Sequence, residues 1–301
     1  VAFLGTPRSN RTPRYRLVLA GAFICLLIVA GCTGGKPFKF DTSAFSEAIF
    51  QPDQLIINGL LLTVSISIIS QIIGVVLGVF GALGRLSRQA PLRWLSALYL
   101  WIFRGTPLLV QLTFFYFGLG AAHIFDWPDI NLFGFTITGA IQAGIVALGL
   151  NEGAYMTEIV RAGILSIDPG QMEAAKSVGM TYGQAMRRIV LPQAARIIVP
   201  PLGNEFNNML KTTSLLFVIG IQELYTTFNI KQGQNFLPFE MFLACAIWFL
   251  LLTTIWGFVQ GWIERRLAKG TPGASAGGPG LLDRLLTFRS SAADAAAAGT
   301  H

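Results

Sequence analysis

The chain has 301 residues, of which 53% are hydrophobic and 12% charged, with a mean hydropathy of +0.59 and a formal net charge of +7. A soluble domain carries about 25% charged residues, so this composition excludes a solvated globule and points to lipid. The basic residues fall in short segments beside apolar runs, which fits membrane orientation rather than nucleic-acid binding.

A bilayer core takes about 20 apolar residues as a helix, and candidate spans lie near 17–33, 57–83, 97–122, 136–160, 196–222 and 241–263. Arg8, Arg11, Arg14 and Arg16 precede the first apolar run. We read that run as a first transmembrane helix. The alternative is a lipoprotein-type signal peptide ending before Cys32. With six spans, both termini share one side. The segments between spans on the opposite side hold only Lys36, Lys39 and Lys231, whereas every other loop and the N-terminus carry at least three Lys or Arg. The positive-inside rule then places the N-terminus, the loop at 167–193 and the C-terminal tail in the cytoplasm. Residues 1–54 form an N-terminal segment, first helix and external loop, 55–268 the transmembrane domain, and 269–301 a Gly-, Ala- and Ser-rich tail expected to be disordered. Cys25, Cys32 and Cys245 have no CxxC spacing, so no metal or cofactor site is expected.

Between the fourth and fifth spans the chain turns polar. Asp168 is a plausible N-cap with Pro169 at the first helical position. The helix runs through Glu173-Ala174-Ala175-Lys176 to Gly179, which suits a left-handed cap. Thr181 and Gln184 have capping-box spacing for a second helix, which carries Ile189 and is expected to end at Leu191-Pro192. A knob of two short helices bent at Gly179 is the predicted result.

Ionisable groups inside spans usually face a cavity or each other. Glu152, in Leu150-Asn151-Glu152-Gly153, is the deepest, and suits the ammonium of a substrate or a structural partner. Glu158 and Arg161 have the spacing of an i,i+3 ion pair. Arg104 precedes Gly105-Thr106-Pro107, where a helix break is expected. The run Pro200-Pro201-Leu202-Gly203-Asn204-Glu205-Phe206-Asn207-Asn208 predicts an interrupted helix, tolerated only where protein or a water-filled cavity satisfies the backbone. Glu152, Asn204, Asn208, Lys211 and Thr213 are the candidate substrate-binding residues. No phosphate loop, HExxH or intramembrane Ser/His pair occurs, so no catalytic residue is assigned.

The spacing E-A-A, three residues, Gly, nine residues, Ile, one residue, Leu-Pro resembles the signature cytoplasmic loop of ABC importer permeases. Phe103-Arg104-Gly105-Thr106-Pro107 through Gln111 resembles the start of the third span in the polar amino acid branch (histidine, glutamine, arginine and glutamate types). So do Ala154 to Ile164, Gly170 to Ala175, Pro192-Gln193-Ala194 and Lys211-Thr212-Thr213-Ser214-Leu215. The resemblance covers about residues 55–268. It implies an all-α polytopic fold with about six transmembrane helices, a five-helix type I importer core plus an N-terminal helix, in a bacterial inner membrane. It further implies coupling to an ATP-binding (ABC) subunit through Glu173, Ala174, Ala175, Gly179, Ile189, Leu191 and Pro192. The other implied partners are an extracytoplasmic solute-binding protein, a second permease and a polar amino acid. An ion-coupled secondary amino acid carrier is the alternative, but it leaves the E-A-A spacing unexplained.

Overall fold

The computed structural model describes residues 39–132 and 135–268. The chain divides into two compact units, Val1–Thr42 and Ser43–His301, and nearly all described residues belong to the second. The expected first span and the expected tail both lie outside the described residues.

The elements in order are α1 (Thr42–Phe50), α2 (Gln54–Leu86), α3 (Ala90–Gly105), α4 (Leu108–Thr113), a π-helical turn (Phe114–Gly118) and α5 (Leu119–Ala121). A hairpin of β1 (Ile130–Leu132) and β2 (Phe135–Ile137) follows, then α6 (Gly139–Leu165), α7 (Pro169–Ser177) and α8 (Tyr182–Ala185). A second π turn (Met186–Val190) leads into α9 (Leu191–Thr212), a 3-10 stretch (Thr213–Ile219), α10 (Leu224–Asn235) and α11 (Pro238–Ala268). The small antiparallel hairpin, with Ile130 opposite Ile137, is a departure from the all-α expectation.

α2 and α11 are long and apolar enough to cross a membrane, at 33 and 30 residues for the apolar stretches Gln54–Leu86 and Pro238–Leu267. Both leave large apolar side chains exposed, among them Ile72, Phe80 and Leu83 on α2 and Ile255 and Phe258 on α11. Lipid tails tolerate such faces because they are as apolar as the side chains themselves. The stretch expected as one span at 97–122 is instead two helices, Ala90–Gly105 and Leu108–Ala121, bent by 102°. α6 and α9 are 27 and 22 residues long. Asn151 and Glu152 dilute the apolar character of the first, and Asn204, Glu205, Asn207 and Asn208 that of the second.

The centre of the second unit is the contact of α2 with α6, which glycines bring to near backbone distance. A Cβ on Gly74 would stand 2.5 Å from Glu152 Cγ, one on Gly78 would meet Met156, and one on Gly149 would stand 2.7 Å from Ile73 Cγ2. Close approach through small residues substitutes packing for the hydrophobic drive that lipid does not supply. Around this pair, Ile66, Leu112, Leu148, Met209 and Leu216 form one buried cluster. Ile56, Leu224, Phe228, Met241 and Cys245 form another.

Candidate functional site: the 167–193 loop and the polar interior

The loop is built from its caps. Asp168 Oδ1 accepts the Gly170 amide at 2.7 Å, with Pro169 opening α7. At the other end the Gly179 amide donates to Lys176 O and the Met180 amide to Ala175 O, at 2.9 and 3.0 Å. This pairing is the glycine-terminated helix cap, and Gly179 has the φ of +82° that it requires. Thr181 and Gln184 then bond reciprocally as a capping box at the start of α8.

Beyond α8 the structure corrects the sequence reading. Leu191-Pro192 does not end the helical unit. The π turn widens the winding, the Leu191 amide donates to Met186 O five residues back, and the helix continues into α9. Proline lacks a donor and crowds the carbonyl four residues before it. A π turn accommodates that loss without a break.

The seven expected coupling residues divide by exposure. Glu173, Ala174, Gly179, Leu191 and Pro192 are exposed, Ile189 is half-buried, and Ala175 is buried. Ala175, Ala185 and Ala194 are small and buried, and Ala194 lies against Gly163 of α6. Val178 and Tyr182 project at 74% and 62% exposure. Beside them Thr181, Gln184, Arg187 and Arg188 line an open depression of about 600 Å³. The surface is therefore a protruding apolar tip beside two arginines, suited to seating in a groove of another protein.

In the interior, Glu152 is 6% exposed and accepts a hydrogen bond from Gln71 Nε2 at 3.0 Å. Gln71 Oε1 is buried without a partner, so an acceptor lies open beside the carboxylate. Neither Gln71 nor its role was visible in the sequence, since 81 residues separate it from Glu152. The Glu158–Arg161 pair forms as expected, at 2.7 Å.

The break at Gly105-Thr106-Pro107 is present, but Arg104 does not bond the freed carbonyls; its guanidinium lies 5.4 Å over the Tyr155 ring. Gln111 closes the break instead. Its Nε2 lies 2.9 Å from Phe103 O and 3.1 Å from Thr106 O, and Asn151 Nδ2 donates to Phe103 O and Gln111 Oε1.

The proline run of α9 is a second correction: Pro200 and Pro201 lie inside a continuous helix. Proline's fixed φ of about −65° is helical, so its cost is the lost donor and the crowding. α11 packs closely over this stretch and bonds it. Gln260 Nε2 donates to Pro200 O and Asn204 Oδ1, and Trp256 Nε1 to Gly203 O at 2.8 Å. Asn204, Asn208 and Lys211 lie exposed along α9, whereas Thr213 is fully buried and donates its hydroxyl to Leu210 O.

Residues 74–269 match the family described as the inner membrane component of binding-protein-dependent transport systems. An arginine transport system permease protein of Corynebacterium glutamicum, ArgU, is 39% identical over 85% of this chain and 81% of its own length. A probable glutamine ABC transporter permease of Bacillus subtilis, GlnM, is 37% identical over 73% of this chain and 97% of its own. A solved amino acid ABC transporter with histidines matches at 38% identity and a TM-score of 0.65, over 76% of this chain and all of its own. The MetNI methionine ABC transporter, at 20% identity and a TM-score of 0.58, shares the fold. This chain belongs to the family of inner membrane components of binding-protein-dependent transport systems.

Proposed function

We propose that this chain is the permease subunit that carries polar amino acids through the membrane for an ABC importer. The observation that carries this reading is the capped knob at 167–193, joined without a break to α9. A rigid connection of that kind turns motion of a docked ATPase into motion of a helix in the membrane. Glu173, Ala174, Gly179, Leu191 and Pro192 present its surface, Ala175 seats it, and Ile189 joins it to α9. The partners are an ATP-binding subunit, an extracytoplasmic solute-binding protein and a second permease of like or related sequence.

The domain reading stands with this proposal: a permease core over 55–268, preceded by a first helix and followed by a cytoplasmic tail. The apolar runs support six spans, and the distribution of Lys and Arg supports an orientation with both termini and the knob in the cytoplasm. Relatives named for arginine, glutamine and cystine transport support polar amino acids as the substrate class. Within the path, Glu152 is the contact for a cationic group, and Asn204 and Asn208 offer amides along α9. Lys211 and Thr213 complete the candidate set. The test is uptake of labelled arginine or glutamine with the ATPase and binding protein present, under competition by unlabelled histidine, glutamate and cystine. Displacement by one class of amino acid names the substrate, and no amino acid uptake at all refutes the reading.

A further inference from the structure

The depression beside the tip of the knob has a lining of one chemical kind. Thr181, Gly183, Gln184, Arg187 and Arg188 surround it. The capping box takes up the acceptors: Gln184 Oε1 accepts the Thr181 amide at 3.0 Å, and Thr181 Oγ1 accepts the Gln184 amide at 3.4 Å. These two side chains have the threonine O–H and the Gln184 N–H groups left to offer. Arg187 and Arg188 add only donors. Both are exposed, and among the described residues neither lies within ion-pair distance of a carboxylate. The side chains of the lining therefore present N–H and O–H groups and two positive charges. A carboxylate, which only accepts, satisfies them; an ammonium does not.

The order of groups along the knob decides where that anion comes from. The winding from α8 through the π turn into α9 is continuous, so distance from the membrane is counted along it. Arg187 and Arg188 stand four and three residues before Leu191, and Tyr182 nine, which is about 13 Å at the helical rise. The arginines are thus nearer the membrane and the exposed apolar tip is farther out. A lipid leaflet has the reverse order, hydrocarbon inside and charge outside, and does not cover both. A protein surface with an apolar groove and a carboxylate at its rim matches both at once, and guanidinium and carboxylate pair in a two-pronged geometry.

We propose that the depression is a socket for an aspartate or glutamate side chain of the ATP-binding subunit, held by Arg187 and Arg188 while Val178 and Tyr182 enter the groove beside it. The contact is then reciprocal, each subunit inserting into the other, which resists sliding of one over the other. The inference rests on the coupling reading of the knob and adds the chemistry of the partner's face.

The experiment uses the assembled importer, purified in detergent. Arg187→Lys and Arg188→Lys keep the charge and supply an amine, which a carbodiimide joins to a carboxylate in direct contact. Wild type, with Lys176 as the loop's one amine side chain, gives the background. The expected result is a new crosslink, mapped by mass spectrometry to a carboxylate of the ATP-binding subunit. Arg187→Glu combined with Arg188→Glu should lower uptake per ATP hydrolysed at least about tenfold, the scale of a charge-assisted bond. Replacing the mapped carboxylate by lysine should restore it. Absence of a crosslink to the ATP-binding subunit overturns the proposal, as does a crosslink to the second permease alone. So does a charge reversal that leaves uptake per ATP unchanged. A loss that follows the anionic lipid content of the membrane and is not restored by the partner's lysine would make lipid the occupant and also overturn it. ATP-driven uptake by wild type, measured in parallel, reports separately on the coupling reading.

Discussion

Thr63 and Glu223, 160 residues apart in the chain, share a fully buried hydrogen-bond exchange. The Thr63 hydroxyl donates to Glu223 Oε2 at 3.3 Å and accepts the Leu224 amide at 3.1 Å. Glu223 caps α10, accepting the Tyr225 and Thr226 amides at 2.9 and 2.8 Å and the Thr226 hydroxyl at 2.9 Å. One threonine on α2 therefore fixes the start of α10. Thr63→Val keeps the shape and leaves a buried amide and a carboxylate oxygen short of a partner. The cost should be about 1–3 kcal/mol, read as a lower Tm of the purified protein, with Thr63→Ser close to wild type.

Glu223 also sets a pH dependence. Burial raises its carboxyl, and the bonds from Tyr225, Thr226 and Thr63 offset this only in part. A folded pKa above the unfolded one, about 4.3 for glutamate, contributes stability that is complete below that value. The contribution is lost as pH rises through the folded pKa. Thermal scans across this window should show wild type losing stability relative to Glu223→Gln as pH rises. A constant difference between the two would contradict the assignment.

Asp53 behaves in the opposite sense. Burial works to raise its carboxyl, but the hydrogen bond from Lys231, the Ile56 amide and the Lys231 charge outweigh it and set it below the usual value. Its stabilisation is present above the unfolded pKa and lost as pH falls through the folded one. The Lys231–Asp53 pair, at 2.5 Å with the Asp53 side chain 44% exposed, contributes less than about 1 kcal/mol. Asp53→Asn keeps the cap of α2 and removes the pair, so its small effect on Tm should vanish in high salt. Asp53→Ala loses the cap as well and costs about 1 kcal/mol more.

Gly179→Val tests the knob. Nothing stands within 4 Å of the position its Cβ would take, so the penalty is conformational, about 1–2 kcal/mol for a left-handed residue. The expected outcome is normal membrane insertion with ATP hydrolysis no longer driving uptake, measured as the ratio of the two rates. Gly179→Asn, which tolerates that backbone, should retain most coupling.

Glu152→Gln separates a substrate contact from a structural one. As a substrate contact it should weaken uptake of a cationic amino acid at least about tenfold more than that of a neutral one, the scale of a charge-assisted bond. Equal losses on both, together with a lower Tm, would make Glu152 a partner of Gln71 alone.

What the sequence disclosed was local. Asp168, Gly179 and the Thr181–Gln184 pair act within a few residues of themselves, and each forms as its spacing predicts. The bend at Gly105-Thr106-Pro107 was legible for the same reason. Pro192 was misread as a helix end, and Pro200 and Pro201 as a helix interruption, because proline's local cost was visible and its accommodation was not. A π turn absorbs the first, and α11 bonds the run holding the others through Trp256 and Gln260, more than 50 residues away. Gln71 beside Glu152 and Thr63 beside Glu223 are likewise products of tertiary contact, with no signal in spacing. The hairpin of β1 and β2 is only three residues per strand, too short for alternation to declare it.

The most direct measurement is uptake of labelled arginine into proteoliposomes that hold this chain with its ATPase, with the binding protein supplied on the opposite side. ATP and an ion gradient are removed in turn. The account predicts that uptake stops without ATP and persists when the gradient is collapsed. Uptake that survives loss of ATP and disappears with the gradient would contradict it and make the chain an ion-coupled carrier.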